Sequence, residues 1–135
     1  MADCIFCKIV NKEIPAYIVR EDDNFLVFLD VNPVNPGHLL IIPKKHVESV
    51  FDLPDEQYKN IFEIAKALST PLQNAMQAKK IGIAVEGFGV PHAHVHLVPL
   101  YNPNELNPER ATHMDEDALA PIAEKIKKEV EKIIK

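Results

Sequence analysis

The chain has 135 residues, which is long enough for one domain with a self-sufficient core and too short for two full-sized domains. Apolar residues make up 47% and charged residues 26%, which excludes an intrinsically disordered chain. A formal net charge of -5 disfavours a nucleic acid duplex as partner, although a small anionic ligand can still bind in a local pocket. Two cysteines three residues apart, no long apolar run and no signal-like N-terminus predict no membrane partner and a cytoplasmic location.

The first half of the chain predicts a short helix followed by three strands. Residues Cys4–Val10 have the apolar spacing of a brief helical turn. A polar turn at residues 21–24 predicts a hairpin, and two Asn-Pro pairs with Gly37 predict a loop of defined geometry further on. The three predicted strands are Tyr17–Arg20, Phe25–Leu29 and Leu39–Ile42.

The second half predicts two long amphipathic helices around two more strands. Asp52 is the predicted N-cap of the first helix, which continues to Met76 with a kink at Pro71. The predicted strands are Ile81–Val85 and His94–Pro99, and the second helix covers residues 117–135. This order of elements predicts an α+β fold with a mostly antiparallel sheet.

Three histidines at alternate positions are the most informative feature of the chain. On a strand, His92, His94 and His96 point to one face, while the apolar residues between them point to the other. Neighbouring rings would then lie about 6.6 Å apart, close enough to share one small ligand. Two chemistries are open: a three-histidine metal site that generates hydroxide, and nucleophilic attack by one neutral imidazole. The alternative to both is a solvated strand face that happens to carry histidines.

The pair Cys4 and Cys7 has the spacing of half a tetrahedral zinc site, which two ligands from elsewhere in the chain would complete. The alternative is two buried cysteines that act as small apolar side chains. A thioredoxin-like redox role is disfavoured because no strand precedes the pair.

Five blocks of this sequence, the three alternating histidines among them, together resemble the histidine triad (HIT) family of nucleotide hydrolases and transferases. The segment His-Ala-His-Val-His-Leu-Val from His92 matches the family's alternating histidine signature. The other matching blocks, in the family's order, are Cys4–Val10 with Glu13-Ile-Pro, Phe28–Pro33, Gly37-His38 and Ile42–His46. The resemblance covers roughly residues 4–99 and points to the small, Hint-like prokaryotic members.

The resemblance implies a role for each matching residue. His94 corresponds to the nucleophile that forms a covalent nucleotidyl-histidine, His96 to the residue that positions the phosphate, and His38 to a further histidine near it. Asp30 corresponds to the carboxylate that accepts hydrogen bonds from the ribose, a turn-forming Asp being the alternative. The apolar walls around the base correspond to Ile5, Phe6, Ile14, Phe28 and Val31, with core packing as the alternative for Ile5 and Ile14.

Some bacterial relatives hold zinc with a cysteine pair, the histidine of a Pro-Lys-x-His segment and the first triad histidine. The matching residues in this chain are Cys4, Cys7, His46 and His92. The resemblance therefore implies a structural zinc ion, and it implies that catalysis needs no metal.

The sequence departs from the family in the segment just before the triad. Gly87-Phe88-Gly89 stands where many relatives have Gly-Gln-Ser or Gly-Gln-Thr, so a side-chain amide and a hydroxyl that touch the phosphate are missing. Backbone N–H groups around Gly89 can still donate to phosphate oxygens. Because of this departure, a non-catalytic purine-nucleotide binder is the alternative to an enzyme.

The resemblance implies a single domain over residues 1–135, with a five-stranded sheet and two main helices. It also implies a homodimer in which the two sheets join into one sheet of ten strands. The implied function is that of a purine-nucleotide hydrolase or transferase that cleaves P–N or P–O linked nucleoside monophosphates. The matching blocks disfavour a three-histidine metallohydrolase.

Overall fold

The computed structural model of the chain describes residues 4–133. Its five strands form one sheet in the order β1-β2-β3-β5-β4, and every neighbouring pair is antiparallel. This confirms the predicted α+β fold, including the hairpin between the first two strands. The strands are β1 (Ile18–Glu21), β2 (Phe25–Leu29), β3 (Leu39–Pro43), β4 (Lys80–Ala84) and β5 (Val95–Leu100).

Three α-helices accompany the sheet, and two short 3-10 turns lie between them. The helices are α1 (Ile5–Val10), α2 (Asp55–Met76) and α3 (Glu116–Ile133). Helix α2 continues through Pro71, and buried apolar residues recur along it at steps of three and four, as the sequence predicted. Within residues 4–133, no helix is long and apolar enough to cross a membrane.

The two faces of the sheet are covered differently. On one face, α2 and α3 pack over a large core that includes Val27, Ile41 and Leu97. On the other face, a smaller apolar cluster around Phe6 and Phe28 joins α1 to β2 and β3. Strands β2 and β3 are buried along their whole length, which explains their continuous apolar sequences. Because α1 is short and packs on β2 and β3, polar side chains can occupy the part of this sheet face next to β5.

Two predicted boundaries are wrong. Asp52 does not cap α2, which begins at Asp55 with Pro54 at its N-cap. Asp52 instead ends a 3-10 turn, where it forms a reciprocal capping box with Ser49. Strand β5 begins at Val95 rather than His94, so His92 and His94 lie in the segment that leads into it.

Candidate active site

The three histidines lie on the sheet face that carries α1. The residues between them, Ala93, Val95 and Leu97, are buried in the core under α2 and α3. The alternation predicted for a strand therefore extends back beyond the start of β5. The rings of His94 and His96 are neighbours, with their centroids 4.9 Å apart. A solvated face is ruled out for His92 and His94, which are 0% and 5% exposed.

The hydrogen bonds of His94 fix which of its ring nitrogens is free. Nδ1 lies 2.7 Å from the carbonyl oxygen of His92. Because a carbonyl oxygen can only accept, Nδ1 carries the proton and donates it, and Nε2 keeps its lone pair. The edge of Phe6 packs against the ring at a centroid distance of 5.3 Å and restricts its orientation. In the neutral ring, Nε2 of His94 therefore has the free lone pair that nucleophilic attack requires.

A chain of hydrogen bonds sets the state of His38 and His96. The Val34 N–H donates to Nδ1 of His38 at 3.2 Å, so Nε2 of His38 carries the proton. That Nε2–H donates to Nδ1 of His96 at 2.9 Å, which leaves an N–H on Nε2 of His96. Burial, with the neighbouring imidazoles as a lesser cause, lowers the pKa of His38 and of His96 to about 4. Both rings are thus neutral near pH 7.

Asp30 follows directly after β2 and lies beside these histidines. Its Oδ1 accepts a hydrogen bond from the Asn32 N–H at 2.8 Å, so the turn-forming role considered for this residue is present. Its Oδ2 lies 3.7 Å from Nε2 of His38. Burial raises the pKa of the Asp30 carboxyl, and the Asn32 hydrogen bond and the nearby histidines partly offset this.

Two cavities meet at Asp30, His94 and His96. The α1 cavity, of about 360 Å³, lies between α1, residues 14–17 and the end of β2. The β4 cavity, of about 500 Å³, lies toward the end of β4 and residues 106–111. The α1 cavity brings together all the residues matched to the base site and to phosphate binding by backbone, namely Ile5, Phe6, Ile14, Phe28, Val31 and Gly89.

The apolar residues that line the α1 cavity differ in whether packing in the core accounts for their position. Phe6 and Phe28 are 6% and 3% exposed and pack edge to face at 5.7 Å, as core residues do. Ile5 and Val31 are 46% and 42% exposed, so core packing does not account for them. Ile14 is half-buried against the smaller cluster. The cavity thus has a fixed aromatic floor and an open aliphatic rim.

The Gly87-Phe88-Gly89 segment borders both cavities. Gly87 and Gly89 have φ angles of +89° and +86°, a region that residues with a Cβ rarely adopt. Phe88 is 81% exposed between them and lines both cavities. An aromatic side chain therefore borders both cavities at the position where the resemblance implies an amide.

The two cysteines, His46 and His92 form a second group below the cavities. Their ligand atoms all lie within 4.8 Å of one another. Sulfur-to-nitrogen distances are 3.4 Å from Cys4 to His92, 3.6 Å from Cys7 to His92 and 3.3 Å from Cys7 to His46. A tetrahedral zinc site with ordinary bond lengths has sulfur–nitrogen edges of about 3.5 Å. The donor set and its spacing therefore fit a four-coordinate metal ion.

His92 belongs to this group, whereas His94 and His96 line both cavities. Its Nε2–H donates to the Pro43 carbonyl oxygen at 2.8 Å, which leaves the Nδ1 lone pair facing both sulfur atoms. Its own carbonyl oxygen accepts the bond from His94. His92 thus belongs to the candidate metal site and also accepts the hydrogen bond that leaves Nε2 of His94 free.

Comparison with known proteins identifies the family. Residues 11–103 match the family model of the HIT domain. The chain belongs to the HIT domain family.

An uncharacterized HIT-like protein of Borreliella burgdorferi is 41% identical over 108 residues, which cover 75% of this chain and 78% of that protein. An adenosine 5'-monophosphoramidase of Schizosaccharomyces pombe is 36% identical over 104 residues, which cover 76% of each chain. A zinc-bound histidine triad family protein from Mycobacterium smegmatis has a TM-score of 0.85 at 27% identity, covering 98% of this chain and 96% of that one.

The HIT match ends before a segment that sequence reasoning missed. Glu105 accepts hydrogen bonds from the N–H groups of Tyr101 and Asn102 at 2.7 and 3.1 Å, which lower the pKa of its carboxyl to about 2. Buried Asn35 donates to the Pro99 carbonyl oxygen at 2.8 Å and accepts from Arg110 at 2.6 Å. The Asn35 contacts, which include a hydrogen bond donated to Glu105 Oε1 at 3.2 Å, join residues far apart in the chain, and no local motif signals them. They attach residues 105–110 to the loop that carries Asp30 and His38.

Proposed function

We propose that this HIT protein hydrolyses purine nucleoside 5′-phosphoramidates through a nucleotidyl intermediate on His94. The observation that carries the proposal is the free Nε2 of His94 at the junction of two cavities, next to the N–H of His96. The relative named adenosine 5'-monophosphoramidase supports the choice of substrate class. P–O linked nucleoside monophosphates are the wider class that the same chemistry would accept.

The α1 cavity is the proposed nucleoside site. A flat purine would lie between the aromatic floor of Phe6 and Phe28 and the exposed rim of Ile5 and Val31. Asp30 lies at its edge, where a carboxylate can accept hydrogen bonds from two ribose hydroxyls. The α-phosphate then reaches His94 and His96, with backbone N–H groups around Gly89 as further donors.

The proposed reaction has two displacement steps at phosphorus. In the first, Nε2 of His94 forms a bond to phosphorus, the P–N bond of the substrate breaks, and the leaving nitrogen keeps the electron pair and takes a proton from water. In the second, the oxygen of a water molecule forms a bond to phosphorus and gives up a proton to solvent, while the bond between phosphorus and Nε2 of His94 breaks and its electron pair returns to Nε2. His96 donates its N–H to the negative phosphoryl oxygens in both steps, while the His92 carbonyl holds the His94 ring in place.

A non-catalytic purine-nucleotide binder is the second candidate function. It is favoured by Phe88, which stands exposed where the related sequences have a phosphate-binding amide. Loss of that amide would slow the chemistry without removing the nucleoside cavity. The two candidates differ only in whether bonds to phosphorus break.

Hydrolysis of adenosine phosphoramidate by wild type and by His94→Asn tests the choice. We expect release of AMP by wild type and none by the variant, because Asn has no comparable nucleophilic nitrogen. AMP affinity in calorimetry should change by less than about tenfold, since the other contacts remain. Exposed Ile133, on the last turn of α3, supplies the control Ile133→Ala, which should behave as wild type. Wild type that binds AMP without turnover would establish the binder instead.

We propose zinc as the ion for the group of Cys4, Cys7, His46 and His92. Two sulfur and two imidazole donors are a common set for structural zinc, and no ligand position is left for a substrate. The zinc-bound solved structure supports this choice. Thiols available for a metal require reducing conditions, which goes with the cytoplasmic location expected from the sequence.

We also propose a homodimer built through β4. This strand is at one edge of the sheet, and Ile83 and Val85 at its end are 46% and 41% exposed. An uncovered apolar edge strand is a template for pairing with a second strand. Pairing of two copies of β4 would produce the ten-stranded sheet that the resemblance implies.

A further inference from the structure

Phe88 is the most exposed of the large apolar side chains that the structure describes, with 81% of the residue open to solvent. It does not lie on an outlying surface, because it lines both the α1 cavity and the β4 cavity. These cavities meet at Asp30, His94 and His96, where the proposed function places the ribose and the α-phosphate. A large apolar ring therefore stands uncovered beside the site, where a bound ligand would give it apolar surface to bury.

The segment that carries Phe88 is anchored at its two ends. We call residues 85–91 the aromatic loop. Directly before it, Ala84 is the last paired residue of β4, and after it the Ala93 N–H donates to a backbone carbonyl oxygen at 2.7 Å. Inside the loop, the Val90 N–H donates to the Phe88 carbonyl oxygen at 3.1 Å. A bond that spans two residues bends the chain locally and does not tie Phe88 to another element.

The two glycines beside Phe88 supply pivots. Gly87 and Gly89 have φ angles of +89° and +86°, in the region that favours glycine. A Cβ at either position would meet no atom of the described residues within 4 Å, apart from those of its chain neighbours, so close packing does not explain the glycines. What they supply is backbone freedom. The ring between them can therefore turn over the cavities while both ends of the loop stay in place.

The α1 cavity offers a surface against which such a ring can close. Phe6 and Phe28 form its floor and are 6% and 3% exposed, whereas Phe88 stands on the open side. A ring that closes from that side would enclose a nucleoside between aromatic side chains. Phe88 has no charge and no polar group, so it would not compete with the N–H of His96 for phosphoryl oxygens. Closure would also displace water from the phosphate, which strengthens the hydrogen bonds formed there.

We propose that the aromatic loop is a lid, in which Phe88 turns about Gly87 and Gly89 and covers the bound nucleotide at the junction of the two cavities. The inference rests on the proposed function, which places the nucleotide there, and adds the segment that closes over it. Closure is driven by apolar surface that Phe88 buries only when the site is occupied. It slows dissociation, because the ring must leave its contacts before the nucleotide can depart.

A fluorescent reporter at the lid tests the movement. The chain contains no tryptophan, so Phe88→Trp introduces a single one. We expect AMP to shift its emission to shorter wavelength and to reduce quenching by acrylamide about threefold, as burial of the ring requires. Both changes should saturate at the dissociation constant found by calorimetry. Phe51→Trp is the matched control, because Phe51 is 78% exposed on the 3-10 turn before α2 and outside both cavities. Its fluorescence should not respond to AMP.

A second variant, Phe88→Ala, removes the ring and keeps the loop. We expect AMP to dissociate about tenfold faster in stopped-flow measurements and its affinity to weaken by about tenfold. The melting temperature of the free variant should equal that of wild type, because the Phe88 side chain is mostly uncovered in the free protein. Phe51→Ala makes the same substitution outside the cavities and should keep the wild-type affinity and dissociation rate.

Two results would overturn the lid and leave the proposed function standing. One is AMP that binds Phe88→Trp in calorimetry without changing the quenching of the tryptophan. The other is a wild-type affinity and dissociation rate for AMP in Phe88→Ala. Wild-type protein that binds no AMP would overturn both the lid and the proposed function.

Discussion

At the scale of single residues, backbone groups decide what each site histidine can do. The His92 carbonyl oxygen accepts a hydrogen bond from Nδ1–H of His94 and so leaves Nε2 of that ring without a proton, whereas the Val34 N–H donates to Nδ1 of His38 and so places the proton of that ring on Nε2. The Nε2–H of His38 donates to Nδ1 of His96, so the proton of the His96 ring lies on Nε2 and can be donated to a ligand. Three chemically identical side chains thus differ in which ring nitrogen carries the proton, and under the proposed function His94 acts as the nucleophile, His96 as a donor and His38 as a positioning residue.

The first prediction concerns Asp30. Replacement Asp30→Asn keeps the size of the side chain but removes the charge that strengthens hydrogen bonds from the ribose hydroxyls. We expect AMP binding to weaken by about 1–3 kcal/mol in calorimetry. The control ligand is 2′,3′-dideoxy-AMP, which should bind the two proteins alike. Equal AMP affinity for wild type and variant would exclude the ribose role.

The second prediction concerns the pH dependence of stability. The pKa of His38 and of His96 is about 4 in the folded chain and near 6.5 when unfolded, so the unfolded chain binds more protons between these values. Stability should therefore be fully present above about pH 6.5 and fall as the pH drops toward 4, for His38 by up to about 1.4 kcal/mol per pH unit. Asp30 acts in the opposite direction, because its pKa is raised.

Urea unfolding at several pH values measures this dependence. We expect the slope of unfolding free energy against pH between 4 and 6.5 to be shallower in His38→Asn than in wild type. Only the slope is compared, because the variant also loses the bond to His96 and starts from a lower stability. A slope identical to that of wild type would contradict the proposed cause.

At the scale of elements, local signals predicted the strands well and predicted the boundaries and cross-chain contacts poorly. The apolar runs of β2 and β3 and the polar turn before β2 are local, so the hairpin could be predicted. Asp52 is of a residue type that often caps helices. The N-cap of α2 is nevertheless Pro54, two residues later, and the Asp52 side chain forms a capping box with Ser49 instead. The direction of the His92 ring depends on Pro43 and on the two cysteines, which only the fold brings near it. The contacts of Asn35 with Glu105 and Arg110 had no local signal at all.

The third prediction concerns α1 and its metal-binding group. Cys7→Ser removes a sulfur ligand that α1 contributes, so the helix loses its link to His46 and His92. We expect about one zinc ion per wild-type chain and much less in the variant, with a lower melting temperature. Lys8→Ser, on the same helix and outside the group, should keep the metal. Metal analysis that finds no zinc in wild type prepared without chelators would contradict the assignment.

At the scale of the whole molecule, the sheet separates a packing side from a chemical side. Helices α2 and α3 cover one face over a large core, and the short α1 covers only part of the other. The remaining surface holds both cavities, with the end of β4 and residues 106–111 at its outer border. The region that matches the HIT domain contains every histidine of the site, so the chemical side of the sheet lies within the family's common domain. Residues 105–110 lie beyond that region.

The fourth prediction concerns assembly through the edge strand. If β4 pairs with β4 of a second copy, a charge at Ile83 would be buried in the interface at a high cost. We expect sedimentation equilibrium to show a wild-type dimer and a largely monomeric Ile83→Lys variant. Ile133→Lys places the same charge on α3 and should remain dimeric. A monomeric wild type at micromolar concentration would refute the dimer.

The central claim is that His94 carries the nucleotide during turnover, and mass spectrometry of the intact protein tests it most directly. Protein mixed with adenosine phosphoramidate and quenched within the first turnovers should gain the mass of one adenylyl group. Fragmentation should place that group on the peptide containing His94, and His94→Asn should show no gain. An adenylyl group on any other residue would contradict the account, as would release of AMP by wild type with the protein mass unchanged throughout.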